Sequence, residues 1–421
     1  MSTTIIHGDC LEELKKLEDN SVDAVVCDPP YGLSNTKPQQ VADVLKAWVT
    51  GDTVSVPAKR GGFMGKDWDS FVPPPAVWEE CMRVLKPGGH MAVFAGARTQ
   101  DLMGLSIRLA GFEIRDTLGW IYGSGFPKSL DVSKAIDKAA GAEREVLSER
   151  PAYGIGGNGI LNGHSEGATA KVTAPATSEA QRWDGWGTAL KPAIEPIILA
   201  RKPLDGTVAN NVLAHGVGGL NIDACRVQTD DDLQKKYPNG PGGNTFGGGR
   251  MAITEWNQPA GRFPANVLLD EHAAKEMDKQ SGWSKSPETT GRGAGGQNGK
   301  YHPIGAQGTV PAPGDSGGAS RFFPVFKYQA KAPKKERPVI VREDGTKVQH
   351  PTVKPLALME WLVTLITPEG GTILDPFAGT GTTLQAAINK GFRPIGIEQD
   401  ADYIQLIHQR LEGGEQSTRN N

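Results

Sequence analysis

Apolar positions recur with regular periods near both ends of the chain, which is 421 residues long. In the N-terminal segment "TIIHGDCLEELKKLEDNSVDAVVCDPP" they describe a short strand, an amphipathic helix with Leu11, Leu14 and Leu17 on one face, and a second strand. After residue 350 three helices alternate with two strands. Strands that alternate with helices predict a parallel sheet, because a parallel pair needs a crossover connection.

The remaining regular segments fit the same architecture. A helix in "PPAVWEECMRVL" is expected to end at Pro87–Gly89, before a strand over Met91–Phe94. The further expected elements are a strand in "GFEIRDTLGWIYG", a helix in "DVSKAIDKAAG" and a strand in "EPIILARKP". The pattern predicts an α/β fold with one doubly wound, mostly parallel sheet.

Glycine is unusually frequent and unevenly placed. The chain has 54 glycines, well above the ~7% average. They concentrate in the middle of the chain, in runs such as "NGPGGNTFGGGR", which suit irregular structure. We therefore expect the first half of the sheet in residues 1–205, with a mobile insertion at about 146–190, an irregular Gly-rich insert in 206–345, and the second half of the sheet in 346–421.

Charge is also unevenly distributed. The net charge of the chain is −3, so no overall basicity indicates a nucleic-acid partner. Residues 236–350, however, contain 16 Lys and Arg against 10 Asp and Glu, a local net charge of +6. A basic module on an acidic body is typical of nucleic-acid binding, although a solvated surface explains the charge equally well.

Several classes of protein are disfavoured by composition. Four cysteines without C-x-x-C spacing favour reduced thiols in a cytoplasmic protein over a disulfide scaffold or a zinc site. The eight histidines form no metal-spaced pair. The N-terminus has no secretion signal, and no apolar run approaches the ~18 residues of a membrane span. We therefore expect no metal and no membrane partner.

A glycine loop follows a predicted strand in "ILDPFAGTGTT". Gly379 and Gly381 permit a tight turn and close approach of a ligand. Glu398, at the end of the next strand, is placed to accept two hydrogen bonds from a ribose diol. Leu384 stands where a dinucleotide fingerprint needs its third glycine, and no P-loop lysine follows. The loop predicts a nucleoside ligand, and Asp375 favours one with a cationic amine, such as S-adenosylmethionine.

A second motif, "DPPY", ends a buried strand at Asp28–Tyr31. Together with "DPFAGTGTT" it resembles the S-adenosylmethionine-dependent amino-methyltransferases of DNA. The order of "DPPY", an insert, "HPTVKP" at 350–355 and the glycine loop is similar to the beta class of these enzymes, of phage and bacterial type. The resemblance implies a Rossmann-like methyltransferase fold, a catalytic half before the insert, target recognition within 206–345, and a cofactor-binding half after it.

The resemblance also implies the site residues. The catalytic motif falls on Asp28, Pro29, Pro30 and Tyr31. The cofactor positions fall on Asp9 at the adenine amine, Thr352 and Lys354 at the methionine end, Asp375, Phe377, Gly379 and Gly381 in the loop, and Glu398 at the ribose. Asp9 is equally suited to cap the helix that begins near Leu11. The basic run "KYQAKAPKKERP" predicts phosphate contacts by Lys327, Lys331, Lys334, Lys335 and Arg337.

The residue types of "DPPY" suit methylation of an exocyclic amine. The lone pair of such an amine is conjugated into the base, so the nitrogen is a poor nucleophile. A carboxylate oxygen of Asp28 and the carbonyl of Pro29 can accept its two N–H donors and free the lone pair. Tyr31 offers a face for a base that has left the duplex. This chemistry needs neither a metal nor a covalent intermediate.

Four other functions remain open beside adenine-N6 methylation of double-stranded DNA. Asp rather than Ser at position 28 favours adenine within the family, but cytosine N4 fits the same hydrogen bonds. A protein glutamine methyltransferase usually has the glycine loop before its tetrapeptide. A nucleotide-dependent oxidoreductase is disfavoured by Leu384, and a non-catalytic DNA-binding protein by the intact motifs. A homodimer and a cognate restriction enzyme are compatible with the resemblance.

Overall fold

The computed structural model of the protein describes residues 3–34, 36–57, 69–123, 125, 129–151, 169–229, 261–285, 316–326, 338–342, 344–350 and 352–418. The strands are β1 (Thr4–His7), β2 (Val22–Cys27), β3 (Leu85–Phe94), β4 (Glu113–Ile121), β5 (Val146–Pro151), β6 (Thr169–Thr173), β7 (Ile194–Arg201), β8 (Val267–Asp270), β9 (Ser284–Lys285), β10 (Ser316–Gly317), β11 (Val325–Phe326), β12 (Ile340–Val341), β13 (Lys347–Val348), β14 (Thr372–Asp375) and β15 (Arg393–Glu398).

The helices are α1 (Cys10–Leu14), α2 (Pro38–Val49), α3 (Pro75–Val84), α4 (Gln100–Leu109), α5 (Val132–Ala139), α6 (Ser178–Arg182), α7 (Val208–His215), α8 (Glu271–Ser281), α9 (Leu356–Ile366), α10 (Thr382–Asn389) and α11 (Ala401–Thr418). Within these ranges no helix combines the length and the apolar character that a membrane span requires.

Nine strands form the central sheet, in the order β1-β15-β14-β2-β3-β7-β4-β8-β11. Within this sheet β7 alone runs antiparallel to its neighbours, β3 and β4. The other pairs are parallel. The predicted α/β class and mostly parallel sheet are thus confirmed.

The core lies on both faces of this sheet. All six residues of β2 are buried, as expected for a central parallel strand with helices on each side. Val25 and Cys27 pack into one apolar cluster. Ala24 and Val26 pack into the cluster on the opposite face, because neighbouring side chains of a strand point to opposite sides. The buried Asp23 of the same strand is paired with Lys86, at 2.6 Å.

One local expectation was wrong. Pro87–Gly89 does not separate α3 from the next strand; α3 ends at Val84, and these residues lie inside β3. There Lys202 donates a backbone hydrogen bond to the carbonyl of Gly89 at 2.9 Å. Gly88, whose φ is +76°, donates to the carbonyl of Pro203 at 3.2 Å. Residues that follow β7 thus bind the Pro-Gly-Gly sequence, which lies where the register between β2 and β3 shifts.

The region 146–190 contains regular structure in its described part. β5 and β6 form an antiparallel hairpin, and α6 is tied to α5 through the buried Asp137. Asp137 accepts hydrogen bonds from the Thr177 backbone at 3.0 Å and hydroxyl at 2.8 Å, and it pairs with Arg144 at 2.5 Å. The predicted mobility of this insertion stays a prediction, and residues 152–168 lie outside the described residues.

The insert 206–345 contributes to the central sheet as well. β8 pairs with β4, and β11 pairs with β8, both in parallel. In its described part, this insert therefore extends the central sheet. Its predicted role in target recognition stays a prediction.

Candidate active site

Four acidic residues follow or end neighbouring parallel strands at one edge of the sheet. Asp28 follows β2, Asp375 and Glu398 end β14 and β15, and Asp9 lies just after β1. The chain leaves β2 toward β3 and β14 toward β15, in opposite directions across the sheet. Such a topological switch point opens a crevice at the carboxyl ends of the strands, where ligands bind in doubly wound folds.

A cavity of about 590 Å³ lies in this crevice. Its size is in the range of cofactor and small-molecule pockets, roughly 300–1,000 Å³. Both sequence motifs contribute to its wall. The predicted site residues among its lining are Asp9, Asp28, Pro29, Pro30, Tyr31, Thr352, Lys354, Phe377, Gly379 and Glu398.

Two side chains from outside the motif hold the backbone of the "DPPY" loop. Asp69 accepts hydrogen bonds from the N–H groups of Tyr31, at 2.7 Å, and Gly32, at 3.0 Å. The hydroxyl of Thr99 donates to the carbonyl of Tyr31 at 2.6 Å. Gly32 has a φ of +67°, in the left-handed region that favours glycine. These contacts fix the direction in which Asp28 and Tyr31 leave the sheet edge.

Asp28 is part of a tight cluster of charged and polar groups. The Lys354 ammonium donates to Asp28 Oδ2 at 2.7 Å and to the Tyr31 hydroxyl at 3.0 Å, and it pairs with Glu195 Oε2 at 3.2 Å. The Tyr31 hydroxyl donates to Asp28 Oδ1 at 2.8 Å. The cluster rests on the buried Phe94, whose ring centre is 4.7 Å from the Lys354 ammonium.

The electrostatics of this cluster fix its protonation. Burial raises the pKa of Tyr31 well above its usual value, and the carboxylates of Asp28 and Glu195 raise it further. The phenol therefore keeps its proton and acts as a donor. Burial opposes the charge of Lys354, but the same two carboxylates outweigh it and raise the pKa of the ammonium. A raised pKa favours the charged form of Lys354 beside Asp28.

The glycine loop is built as its sequence suggests. Gly379 and Gly381 have φ values of +53° and +75°. Glu398 accepts backbone hydrogen bonds from Gly379 and from Asp400, each at 2.8 Å, and burial raises its pKa. A Cβ at Gly379 would lie 3.6 Å from His350 Nε2, another wall residue, so a side chain here would fill part of the cavity.

Asp375 lies beneath this loop. Its carboxylate accepts a hydrogen bond from the Phe377 backbone at 3.0 Å, and burial raises its pKa to about 7. It lines a small cavity of about 40 Å³ together with Asp28 and Lys354. Phe377 itself packs on Trp78, with ring centres 6.1 Å apart. Asp375 thus supports the loop from below, while Phe377 faces the larger cavity.

The other predicted residues divide into three groups. Asp9 caps α1 by accepting from the backbone of Leu11 and Glu12 at 3.0 and 3.3 Å, and it also lines the cavity, so both roles weighed for it are compatible with its position. Thr352 lies at the cavity wall beside His350. The predicted phosphate-binding residues lie outside the described residues; they are Lys327, Lys331, Lys334, Lys335 and Arg337.

Two site residues were not anticipated from the sequence. Glu195 enters the cluster from the start of β7, in a segment read only as a strand, "EPIILARKP". A carboxylate at the start of a mostly apolar strand was the available signal. Asp69 lies in no motif, and it reaches the "DPPY" loop from 38 residues away in sequence.

The sheet and the two loops at its switch point define a Rossmann-like methyltransferase. The model of the N6/N4 DNA methylase family matches residues 22–409, so the chain belongs to this family of DNA methyltransferases. The resemblance inferred from "DPPY" and the glycine loop is thereby confirmed.

Individual relatives are similar over different lengths. The type II methyltransferase M.HindIII of Haemophilus influenzae is 23% identical over 98% of this chain and 96% of its own length. The DNA adenine methyltransferase YhdJ of Escherichia coli K12 is 43% identical over 29% of this chain and 34% of its own length. A solved complex of M1.HpyAVI with S-adenosylmethionine aligns with a TM-score of 0.37 and 14% identity, over 97% of this chain and all of the other, 100%.

Proposed function

We propose that the protein transfers a methyl group from S-adenosylmethionine to the exocyclic N6 amine of adenine in DNA. The observation that carries this proposal is the shared cavity: the Asp28 carboxylate and the glycine loop line one crevice at the switch point of the sheet. A base amine and a nucleoside-type methyl donor bound there would meet at Asp28.

The cavity wall has hydrogen-bond acceptors that suit this cofactor. Glu398 has two carboxylate oxygens that each accept one backbone hydrogen bond, and a carboxylate oxygen has room for a second, here from a ribose hydroxyl. Asp9 would accept from the adenine amine, Thr352 would hold the methionine end, and Phe377 would supply an apolar face. When bound, S-adenosylmethionine supplies an electrophilic methyl group on a positively charged sulfur.

The chain's own residues prepare the amine. Asp28 Oδ1 and Oδ2 each accept one hydrogen bond, from Tyr31 and Lys354, so both retain a free lone pair for a target N–H. The Pro29 carbonyl accepts the second N–H. These contacts pull the nitrogen toward tetrahedral geometry, which releases its lone pair for attack.

Tyr31 differs from the simple stacking role expected for it. Its ring lines the cavity, as a stacking face for an extruded base must. Its hydroxyl, in addition, orients Asp28 through the 2.8 Å hydrogen bond. The phenol therefore contributes to both base binding and carboxylate geometry.

Two observations support adenine as the target. The tetrapeptide begins with Asp28, as in most adenine-directed members that the motif resembles. The relative YhdJ, which is 43% identical over 121 residues, is named a DNA adenine methyltransferase. Cytosine N4 is the alternative, since its amine presents the same two donors.

DNA reaches the site from the edge where the strands end. β11 is parallel to β8, which is parallel to β4, and it ends at Phe326. The chain therefore leaves the sheet at the carboxyl edge immediately before the basic residues 327–337. Their positive charge suits contacts with backbone phosphates on either side of the extruded base.

The proposal is tested by product analysis. Purified protein is incubated with unmethylated plasmid DNA and S-adenosylmethionine carrying a labelled methyl group, and the DNA is digested to nucleosides and separated by chromatography. The label should elute as N6-methyldeoxyadenosine. Label in N4-methyldeoxycytidine would replace the adenine assignment, and unlabelled DNA with labelled protein would overturn the proposed function.

A further inference from the structure

The Lys354 ammonium is shared among three acceptors. Its partners are Asp28 Oδ2 at 2.7 Å, the Tyr31 hydroxyl at 3.0 Å and Glu195 Oε2 at 3.2 Å. An ammonium has three N–H donors, so this arrangement uses all of them. The side chain of Lys354 is only 11% exposed, which leaves little room for another geometry.

Glu195 is held rigidly in this position. It pairs with the buried Trp120 across the β4–β7 ladder, and the carbonyl of the next residue, Pro196, accepts the backbone hydrogen bond of Ala95 at 2.9 Å. The carboxylate therefore projects from a strand, not from a mobile loop. It also lines the cavity, like Asp28.

The cluster contains more negative charge than stability alone would favour. Asp28 and Lys354 already form a complete ion pair at 2.7 Å. A second carboxylate in a partly buried site adds a desolvation cost and repels Asp28. A purely structural pair would be better served by a neutral residue at position 195, so the extra charge points to a functional requirement.

That requirement follows from the task of Asp28. If the ammonium were paired with Asp28 alone, it would withdraw electron density from the oxygens that must accept the amine hydrogens. A second carboxylate on the opposite side of Lys354 draws the ammonium away and leaves the three charged groups with a net charge of −1. Asp28 then remains a strong acceptor while Lys354 and Tyr31 still fix its orientation.

We propose that Glu195 is a positioning residue for methyl transfer, which acts through Lys354 to preserve the acceptor strength of Asp28. This inference rests on the proposed function. It assigns to Glu195 a role in the rate of the transfer step and no role in binding either the cofactor or the DNA.

Glu195→Gln tests the charge with little change in shape. Single-turnover transfer should fall by about tenfold or more, the scale for losing one charged partner of a catalytic group. Affinities for S-adenosylmethionine and for DNA should stay within about twofold of the wild type, because no cofactor or phosphate contact is removed. Glu113→Gln is the matched control, since Glu113 pairs with Arg201 at the other end of β7, at 2.6 Å, and its transfer rate should be unaltered.

A double-mutant cycle identifies the route of the effect. In a Lys354→Met background, Glu195→Gln should cause a smaller loss than in the wild type, because Glu195 then keeps only its contact with the Tyr31 hydroxyl, at 3.2 Å. Glu195→Asp, which keeps the charge, should transfer faster than Glu195→Gln. Melting temperatures of all variants establish that the compared proteins are folded.

The outcomes separate this inference from the function on which it depends. Wild-type protein that transfers no methyl group to DNA would overturn the proposed function itself. Normal wild-type transfer would overturn the role of Glu195 alone in any of three cases: an unchanged rate in Glu195→Gln, an equal loss of rate in the Lys354→Met background, or reduced cofactor affinity as the main defect.

Discussion

Replacing Asp28 by alanine removes the proposed acceptor of the target amine and should separate chemistry from binding. The carboxylate makes no described contact with the glycine loop, so cofactor affinity should survive. Transfer should fall by at least ~100-fold, the usual scale for one well-placed catalytic polar group. This corresponds to about 2.7 kcal/mol of transition-state stabilisation.

The structure also bounds the effect of Asp28→Ala on stability. The substitution removes the 2.7 Å bond from Lys354 and the 2.8 Å bond from Tyr31. Lys354 retains Glu195 at 3.2 Å, so the ammonium is not left alone in a buried site. The loss should therefore be limited to about 1–3 kcal/mol of unfolding free energy, the scale for hydrogen bonds to charged groups.

The assay for Asp28→Ala is single-turnover transfer of a tritiated methyl group to DNA, with cofactor affinity measured by calorimetry. Asp19→Ala serves as the control, because Asp19 is a surface carboxylate whose side chain is 69% exposed and paired with Arg83. Near-normal transfer by Asp28→Ala would refute the role of Asp28 as acceptor. Loss of cofactor binding as its main defect would refute the division of the cavity into a base end and a cofactor end.

Four further predictions follow from the same geometry. Gly379→Val introduces a branched side chain at a φ of +53°, and calorimetry should report lost S-adenosylmethionine affinity with DNA binding intact; unchanged affinity would remove the loop from the site. Tyr31→Ala should impair both base extrusion and methyl transfer, whereas Tyr31→Phe should keep extrusion and lose only transfer. A fluorescent base analogue reports extrusion, and equal behaviour of the two variants would contradict a separate role for the hydroxyl. Neutralising Lys334 and Lys335 should weaken binding to every DNA sequence and flatten its salt dependence; an effect confined to one sequence would argue against phosphate contacts. Burial raises the pKa of Asp375 from 3.8 to about 7, so the folded chain holds this proton more tightly than the unfolded chain. The free energy of unfolding should therefore fall as pH rises through that interval. Asp375→Asn should flatten this fall, and an identical pH profile in the variant would contradict the pKa shift.

The hydrophobic periodicity of the sequence was sufficient to predict the α/β class and a mostly parallel sheet. Strongly apolar strands such as β2, bounded by Asp28 and two prolines, can be recognised locally, because their burial on both faces leaves few polar positions. The glycine loop could also be located, since its two positive φ values require glycine at Gly379 and Gly381. These features depend on short stretches of chain.

Features that depend on distant pairing were missed. Pro87–Gly89 carries a strong helix-stop signal, yet it lies inside β3, where Gly88 and Gly89 bond to the distant residues Pro203 and Lys202. Glu195 gave little local sign of function, because its contact with Tyr31 forms only when β7 is placed beside the "DPPY" loop. Strand order in a sheet of nine strands is a property of the whole chain, so no single motif contains it.

We propose above that Asp28 and the glycine loop form one site that methylates a base amine in DNA. The most direct test is to express the protein in a bacterial strain that lacks its own DNA methylases and to map modified bases along the genome. We expect N6-methyladenine at one short recurring sequence, present with the wild-type protein and absent with Asp28→Ala. An unmodified genome, or the same modification with Asp28→Ala, would contradict it.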